Sequence, residues 1–335
     1  MTPRSPGSEN LATGRRAVLA SLGLCLLAPR VARAQPRRDP WQIAVLGLTP
    51  FNAALSEAFR QGLGERGHVE GRHYRLDTQD AGGKPERLPE MGAAAVHRHA
   101  DIVLVRGAGA LAAAKAASST IPIVAVDLES DPMATGAVRS LAQPGGNVTG
   151  VFLDLPDLTA KQLQLLKEAV PSVSRVAVLG DPSLNVPQFR AAERAARSIG
   201  LDLQRLEVRA SNEIEEALEA ARRKSAQALL LLSSPLVFYH RANLGALAVK
   251  KRLPAVSMFV EFAESGGLIA YGPSIRECFR RAGVFAARIF EGAKPADMPV
   301  ERPTTFELVI NRMTAKTLGL TVPASLARRA DRVIE

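Results

Sequence analysis

Short apolar runs alternate with amphipathic segments along most of the chain. In the first unit, an apolar run over 42–47 precedes Leu55, Phe59 and Leu63, whose spacing of four is typical of the buried face of a helix. Further strands are predicted at 73–78, 101–106, 121–127, 175–180, 203–208, 228–232, 254–257, 267–271 and 306–310. Strands that alternate with amphipathic helices indicate an α/β fold with parallel sheets and helices on both faces.

One stretch, residues 121–151, separates two sets of these units. It contains a predicted strand ending at Asp127, an acidic loop with Glu129 and Asp131, a predicted short helix, and a Pro-Gly-Gly-Asn turn before a strand that begins near Val148. A chain of 335 residues is long enough for two domains. We therefore expect this stretch to bridge two similar domains and its polar loop to lie near a ligand.

The first 34 residues have the pattern of an export signal. Arg15 and Arg16 precede a short apolar segment over 17–28, and Ala32-Arg33-Ala34 forms an A-x-A site, so cleavage is expected before Gln35. The apolar run is short for a membrane span, and a retained anchor is the alternative. The sequence leaves open the Sec or the twin-arginine route, as well as lipidation at Cys25.

The charge of the mature chain does not indicate a nucleic-acid partner. Removal of the signal takes away five basic residues and one acidic residue, which leaves 38 Lys and Arg against 32 Asp and Glu, a net charge of about +6. These basic residues are scattered along predicted helices, and no DNA- or RNA-binding motif is present. Cys278 is then the single cysteine, so no intrachain disulfide is expected.

No catalytic, cofactor or metal motif is recognisable. The chain lacks the G-x-S-x-G, P-loop and H-E-x-x-H patterns. Gly107-Ala108-Gly109 follows a strand, but the third glycine of a dinucleotide fingerprint is missing, so no cofactor is expected. His97 and His99 are two residues apart, a spacing that separates two rings on a helix, and no metal site is expected. Cys278 is predicted to be a core residue rather than a nucleophile.

Candidate binding residues lie where predicted strands end, because ligands of open parallel sheets bind outside the carboxyl ends of the strands. Free N–H groups at the helices behind Gly107 and Ser234 suit a carboxylate, and an acidic side chain suits an ammonium group. The mixture indicates a small zwitterion whose apolar or aromatic tail packs on Phe51 or Phe259; ordinary turn and capping chemistry is the alternative for each residue. The predicted ligand-binding residues are Thr49, Phe51, Arg106, Gly107, Ala108, Asp127, Glu129, Asp181, Asn185, Ser233, Ser234, Phe259 and Glu261.

Four segments together resemble a known family. Residues 63–71 read LGERGHVEG, residues 144–150 read PGGNVTG, residues 266–273 read GGLIAYGP, and residues 306–311 read FELVIN. The order and the residues of these motifs are similar to those of the ABC transporter substrate-binding proteins of the tryptophan/tyrosine-binding type. The resemblance covers the mature chain nearly from end to end.

The resemblance implies a type I periplasmic binding protein, in which two Rossmann-like lobes with parallel sheets, joined by a multi-strand hinge, close on a small ligand. The expected lobes are 35–147 with about 273–298, and 148–272 with about 299–335. It also implies a monomer that delivers its ligand, amino-acid-like or an aromatic or organic acid, from the periplasm to an ABC permease in the inner membrane.

The loops expected at the pocket depart from the family pattern. Arg106 stands where a small residue is usual, residues 127–129 replace a glycine-containing run, and residues 181–185 replace an Asn-Pro-Asn type of loop. Ligand identity therefore does not carry over. An Arg106–Asp127 pair is expected either to mark a polar or charged ligand or to form a salt bridge across the hinge.

Two other functions compete with transport. A ligand-sensing module would use the same closure to signal to a membrane receptor. An exported α/β enzyme would use Asp127 or Glu261 as a base, but the sequence shows no nucleophile or metal constellation beside them.

Overall fold

Two sheets carry the architecture in a computed structural model that describes residues 40–153 and 155–335. The export signal predicted at 1–34 lies outside the described residues. The first sheet is entirely parallel, in the order β2-β1-β3-β4-β5. Its strands are β1 Trp41–Gly47, β2 Tyr74–Asp80, β3 Ile102–Arg106, β4 Ile123–Asp127 and β5 Val148–Phe152.

The second sheet has seven strands in the order β12-β11-β10-β9-β8-β6-β7. All of its pairs are parallel except β10 with β11. The strands are β6 Arg175–Gly180, β7 Asp202–Glu207, β8 Ala228–Leu231, β9 Ala255–Ser257, β10 Ile269–Pro273, β11 Phe306–Asn311 and β12 Arg332–Ile334.

Helices link the strands because parallel neighbours need crossover connections. They are α1 Ala53–Gly64, α2 Leu88–His97, α3 Ala108–Ala117, α4 Leu155–Ala169, α5 Val186–Ser198, α6 Ile214–Arg223, α7 Pro235–Lys250, α8 Val260–Glu264, α9 Ile275–Phe290, α10 Arg312–Thr317 and α11 Ala324–Ala327. Helix α9 follows a strand of the second sheet yet packs on α1, β4 and β5 of the first. The chain therefore returns to the first sheet after β10.

The predicted α/β class with parallel sheets is confirmed, and most predicted strands lie within two residues of their observed bounds. The short helix predicted after the acidic loop does not form. Residues 128–147 form turns instead, because the Asp131 carboxylate accepts the N–H groups of Met133 and Ala134 and so closes a tight turn.

Smaller differences concern element ends. Ser211 and Asn212, which follow the strand predicted over 203–208, lie in a 3₁₀ turn before α6. The short elements α8, α11 and β12 were not predicted, because three to five residues are too few to leave a periodicity.

The described residues all lie in one compact unit, and one hydrophobic core extends from the first sheet to the second. The predicted division into two lobes stays a prediction. Its first boundary assigned Val148 onward to the second lobe, whereas β5 pairs with β4 in the first sheet. In the described part of the chain, no helix is long and apolar enough to cross a membrane.

Candidate functional site

A cavity of about 150 Å³ lies where strands β1, β3 and β4 end and faces the segments that follow β8 and β9. This volume is far more than one water molecule needs, so it can admit a small organic molecule. Four of its eighteen lining residues carry polar side chains, and the other walls are apolar or glycine. The lining residues are Leu48, Thr49, Leu55, Pro85, Leu88, Arg106, Gly107, Gly109, Ala110, Val126, Leu128, Glu129, Ser233, Pro235, Phe238, Phe259, Ile275 and Phe279.

Arg106 enters this cavity from the end of β3. Its guanidinium lies over Gly47, its partner in β1, where a Cβ atom would be 2.2 Å from Nη2. Nη1 donates to the Pro50 carbonyl at 3.2 Å, and Nη2 donates to the carbonyl of Thr49. The glycine thus makes room for the guanidinium, and the loop after β1 orients it.

The charge of Arg106 is not neutralised by a contact. Burial lowers its pKa to about 10, and Asp80 opposes that shift through space. Among the described residues, Arg106 forms no ion pair within 4.0 Å, and its Nε is buried without a hydrogen-bond partner. The site therefore holds a half-buried cation whose hydrogen bonds go only to two backbone carbonyls.

The predicted Arg106–Asp127 pair does not form, because Asp127 is satisfied locally. Its Oδ1 accepts the N–H groups of Glu129 at 2.9 Å and Ser130 at 3.2 Å, and the Ser130 hydroxyl donates to Oδ2. Asp127 is fully buried and does not line the cavity. Burial raises its pKa, and these three hydrogen bonds oppose the shift. Its observed role is to shape the turn that carries Glu129.

Glu129 brings a second polar group to the cavity. Its carboxyl lies beside Gly107, where a Cβ atom would be 3.2 Å from Oε2. Burial raises the pKa of Glu129 to about 8, the charge of Asp127 adds to the shift, and a hydrogen bond from the backbone of Ala108 opposes it. The raised pKa favours the protonated form of this carboxyl, which can donate a hydrogen bond.

Aromatic rings form two of the walls. Phe238 and Phe259, from the second-sheet side, meet edge to face with ring centres 5.0 Å apart. Phe279 of α9 is backed by Phe51 at 5.3 Å, and Phe51 also lies 5.3 Å from the Arg106 guanidinium. Phe51 supports the wall from behind and is not a lining residue.

Several predicted site residues of the second half fasten its loops. Asn185 is buried; its Oδ1 accepts the Asp181 N–H at 2.7 Å, and its amide donates to the Ser233 carbonyl at 2.6 Å. Ser234 caps α7 by accepting the Val237 N–H at 3.2 Å. Glu261 lies 3.5 Å from the Arg241 guanidinium. Asn185 and Ser234 are thus engaged in the turn and capping chemistry that was the alternative, and Glu261 is engaged in an ion pair.

Six of the thirteen predicted residues line the cavity: Thr49, Arg106, Gly107, Glu129, Ser233 and Phe259. Ser233 presents an Oγ that is buried without a partner. Phe51, Ala108 and Asp127 support these residues, whereas Asp181, Asn185, Ser234 and Glu261 lie outside the lining. Which of them contact a ligand stays a prediction.

The sequence reasoning missed most of the apolar lining. Leu48, Leu55, Leu88 and Ile275 have no feature that separates a cavity wall from a core position. Phe238 is the exception. Ser-Ser-Pro follows a predicted strand directly, and Phe238 comes three residues after that proline, so the sequence places it near the strand-end edge.

The described residues contain no group of three or more His, Cys, Asp and Glu side chains that could hold a metal ion. Cys278 is buried, and burial raises the pKa of its thiol to about 12, so its reactive thiolate form is suppressed.

This fold and cavity define a binding protein of the two-sheet α/β kind, and comparison with known proteins supplies the family. The chain belongs to the ABC transporter substrate-binding proteins, whose family model matches residues 48–334. It is similar to a protein of Clostridioides difficile strain R20291 called tyrosine-binding protein, with 24% identity over 268 residues, which are 79% of this chain and 76% of that relative.

Two solved structures share the fold. One is an ABC domain in complex with L-Trp from Streptococcus pneumonia, with a TM-score of 0.80 and 24% identity, covering 88% of this chain and 100% of that one. The other is the ligand-free, open structure of a substrate-binding protein with adhesive properties from Clostridium difficile, with a TM-score of 0.66 and 23% identity, covering 88% and 99%. The type I periplasmic binding class is thereby confirmed.

Proposed function

We propose that this protein captures a small amino-acid-like molecule, or an aromatic or organic acid, and delivers it to an ABC permease. The observation that carries the proposal is an apolar cavity with few polar groups between the ends of two parallel sheets. Family membership supports delivery to a transporter. The similar tyrosine-binding protein and the structure with bound L-Trp support an amino-acid-like ligand.

Capture is proposed to proceed by domain closure. Ligand contacts with residues from both sheets, such as Arg106 and Phe259, favour the closed arrangement over the open one. A permease can then distinguish the two shapes. We further propose that the protein works as an exported, periplasmic monomer, uses no cofactor and catalyses no reaction.

The first experiment is a thermal-shift screen of the purified protein against amino acids, aromatic acids, aliphatic acids, sugars, polyols and nucleosides. A ligand that binds only the folded state raises the melting temperature in proportion to the logarithm of its concentration above Kd. We expect at least one hit, recovered chemically unchanged after incubation. A screen without any hit contradicts capture, and conversion of a hit into a product contradicts a purely binding role.

A further inference from the structure

Arg106 presents an uncompensated positive charge inside an otherwise apolar cavity. A guanidinium has five N–H donors, and here only two protein carbonyls accept from it. Burying a charge without an opposite charge is unfavourable, and in proteins such charges are normally paired. No described carboxylate lies within 4.0 Å of Arg106, although Asp127 and Glu129 follow the adjacent strand.

The nearby acids cannot readily serve as its partner. Asp127 is held by its own turn, as described above, and Glu129 lies on Gly107 beside the start of α3. Asp80 is directed to its own loop, where its Oδ1 accepts the Gly82 N–H at 2.9 Å. Among the described residues, therefore, no carboxylate pairs with Arg106, and a ligand can supply the missing anion.

The remaining walls indicate what that anion is attached to. Leu48, Leu55, Phe238, Phe259 and Phe279 surround the cavity, and the few polar side chains cannot satisfy the many hydroxyl groups of a sugar. An apolar or aromatic body fits these walls, and a carboxylate is the planar anion that a guanidinium binds through two parallel hydrogen bonds.

We infer that Arg106 is the carboxylate anchor of the ligand, and that the ligand class is an organic monocarboxylate with an apolar or aromatic body. The inference rests on the proposed function and gives it a specificity-determining residue. The contact with Arg106 does not involve an ammonium group, so an aromatic acid and an aromatic amino acid share the chemistry that Arg106 recognises. Glu129 and Ser233 are then the polar groups that can distinguish between these two sources.

The test compares each acid with the amide in which an uncharged carboxamide replaces the carboxylate. Calorimetric titrations use phenylacetate with phenylacetamide, and L-phenylalanine with L-phenylalaninamide, on the wild-type protein. We expect the better-bound acid to exceed its amide by about 10- to 100-fold in affinity, the range of a hydrogen bond to a charged group. If phenylacetate binds as tightly as L-phenylalanine, the physiological ligand class is the simple acids; if only L-phenylalanine binds, it is the amino acids.

Arg106→Gln separates an anchor from a structural residue. If Arg106 is the anchor, the Arg106→Gln protein loses the preference for acid over amide, and the ratio of the two affinities falls to about one. A variant that only distorts the cavity lowers both affinities and keeps the ratio. Arg106→Lys, which keeps the charge without the planar fork, is expected to fall between the two. Arg98→Gln is the matched control, because Arg98 is exposed, pairs with Asp77 and does not line the cavity.

The outcomes separate this inference from the proposed function. Equal binding of acid and amide to the wild type, or an unchanged ratio in Arg106→Gln, overturns the anchor and leaves solute capture standing. If no acid binds but a neutral sugar, polyol or nucleoside from the screen does, the anchor and the proposed ligand class are both overturned and only solute capture stands. Binding of no compound at all overturns both.

Discussion

At the scale of single residues, Gly47 positions Arg106. We predict that Gly47→Ala pushes the guanidinium out of place, since the new Cβ would lie 2.2 Å from Nη2. Because the obstacle is the end of a flexible side chain, the free energy of unfolding should fall by only about 1 kcal/mol. Affinity for the best-binding acid should fall about tenfold or more.

Urea unfolding and calorimetric titration check these two effects separately. Gly146→Ala is the control, because a Cβ atom there meets nothing within 4 Å. Unchanged acid binding in Gly47→Ala would show that the observed placement of Arg106 is not needed.

Glu129 gives a prediction for the pH dependence of stability. Its pKa is about 8 in the folded protein, above the usual 4.5, so folding takes up a proton between these values. The free energy of unfolding should therefore decrease as pH rises from about 5 to 8. Glu129→Gln should flatten this slope and stabilise the protein at pH 9 by about 1 kcal/mol or more, since each pKa unit corresponds to about 1.4 kcal/mol.

Urea titrations at pH 5, 7 and 9 measure the slope, with Glu90→Gln on the exposed face of α2 as the control. Asp127, whose pKa burial also raises, leaves part of the slope in the variant. A slope identical to that of the wild type would contradict a raised pKa at Glu129.

Because strand ends of a parallel sheet meet at one edge, the sequence predicted that Arg106 and Glu129 lie near each other, and both line the cavity. It could not predict their partners. The Asp127 carboxylate accepts from the Ser130 hydroxyl, three residues away, inside the loop that the sequence predicted, and the composition of a loop does not reveal its internal hydrogen bonds. Asn185 is also polar, yet its Oδ1 already accepts from the Asp181 N–H and its amide already donates to the Ser233 carbonyl.

At the scale of elements, α1 and α9 cross with their backbones in contact. A Cβ atom at Gly283 would lie 2.1 Å from the Phe59 carbonyl oxygen, and one at Gly62 would lie 1.9 Å from the Arg280 carbonyl oxygen. We predict that Gly283→Ala lowers the free energy of unfolding by about 2–3 kcal/mol, because a backbone cannot move aside as a side chain can.

Urea unfolding measures the loss. Gly64→Ala, on the same helix pair but facing open space, should instead leave stability unchanged or increase it by up to about 1 kcal/mol. Equal effects of the two substitutions would contradict close packing at this crossing.

Elements with long apolar runs were predictable, and short ones were not. Strand β6 was predicted with its observed bounds because all but its first residue are buried and turns flank it on both sides. The helix predicted after Asp131 does not form, because the Asp131 carboxylate accepts two N–H groups and so favours a tight turn instead of a helix. Helix propensity alone could not reveal that competition.

At the scale of the whole molecule, the alternating pattern predicted parallel sheets. The motif resemblance predicted that two such sheets belong to one binding protein. The resemblance placed a return of the chain to the first lobe at about 273–298, but neither pattern could say which residues of that segment reach the cavity. Helix α9 makes that return and contributes Ile275 and Phe279 to the cavity, so a segment near the C-terminus completes a site that begins at Leu48. Only the three-dimensional contacts show this, since the residues lie more than 220 positions apart.

A helix that follows the second sheet also meets a loop of the first outside the cavity. There the Tyr239 ring of α7 covers Gly83 of the β2–α2 loop, and a Cβ atom at Gly83 would lie 2.8 Å from that ring. In the proposed closure this contact breaks as the two sides separate, so we expect it to favour the closed arrangement. We predict that Tyr239→Ala weakens binding of the best-binding acid about three- to tenfold, mainly through faster dissociation, since about 1 kcal/mol corresponds to a fivefold change in Kd.

Stopped-flow dissociation and small-angle X-ray scattering check this prediction: the free variant should have a larger radius of gyration than the free wild type. Tyr239→Phe keeps the ring and should behave as the wild type. If Tyr239→Ala changes neither the dissociation rate nor the radius of gyration, the contact has no part in closure.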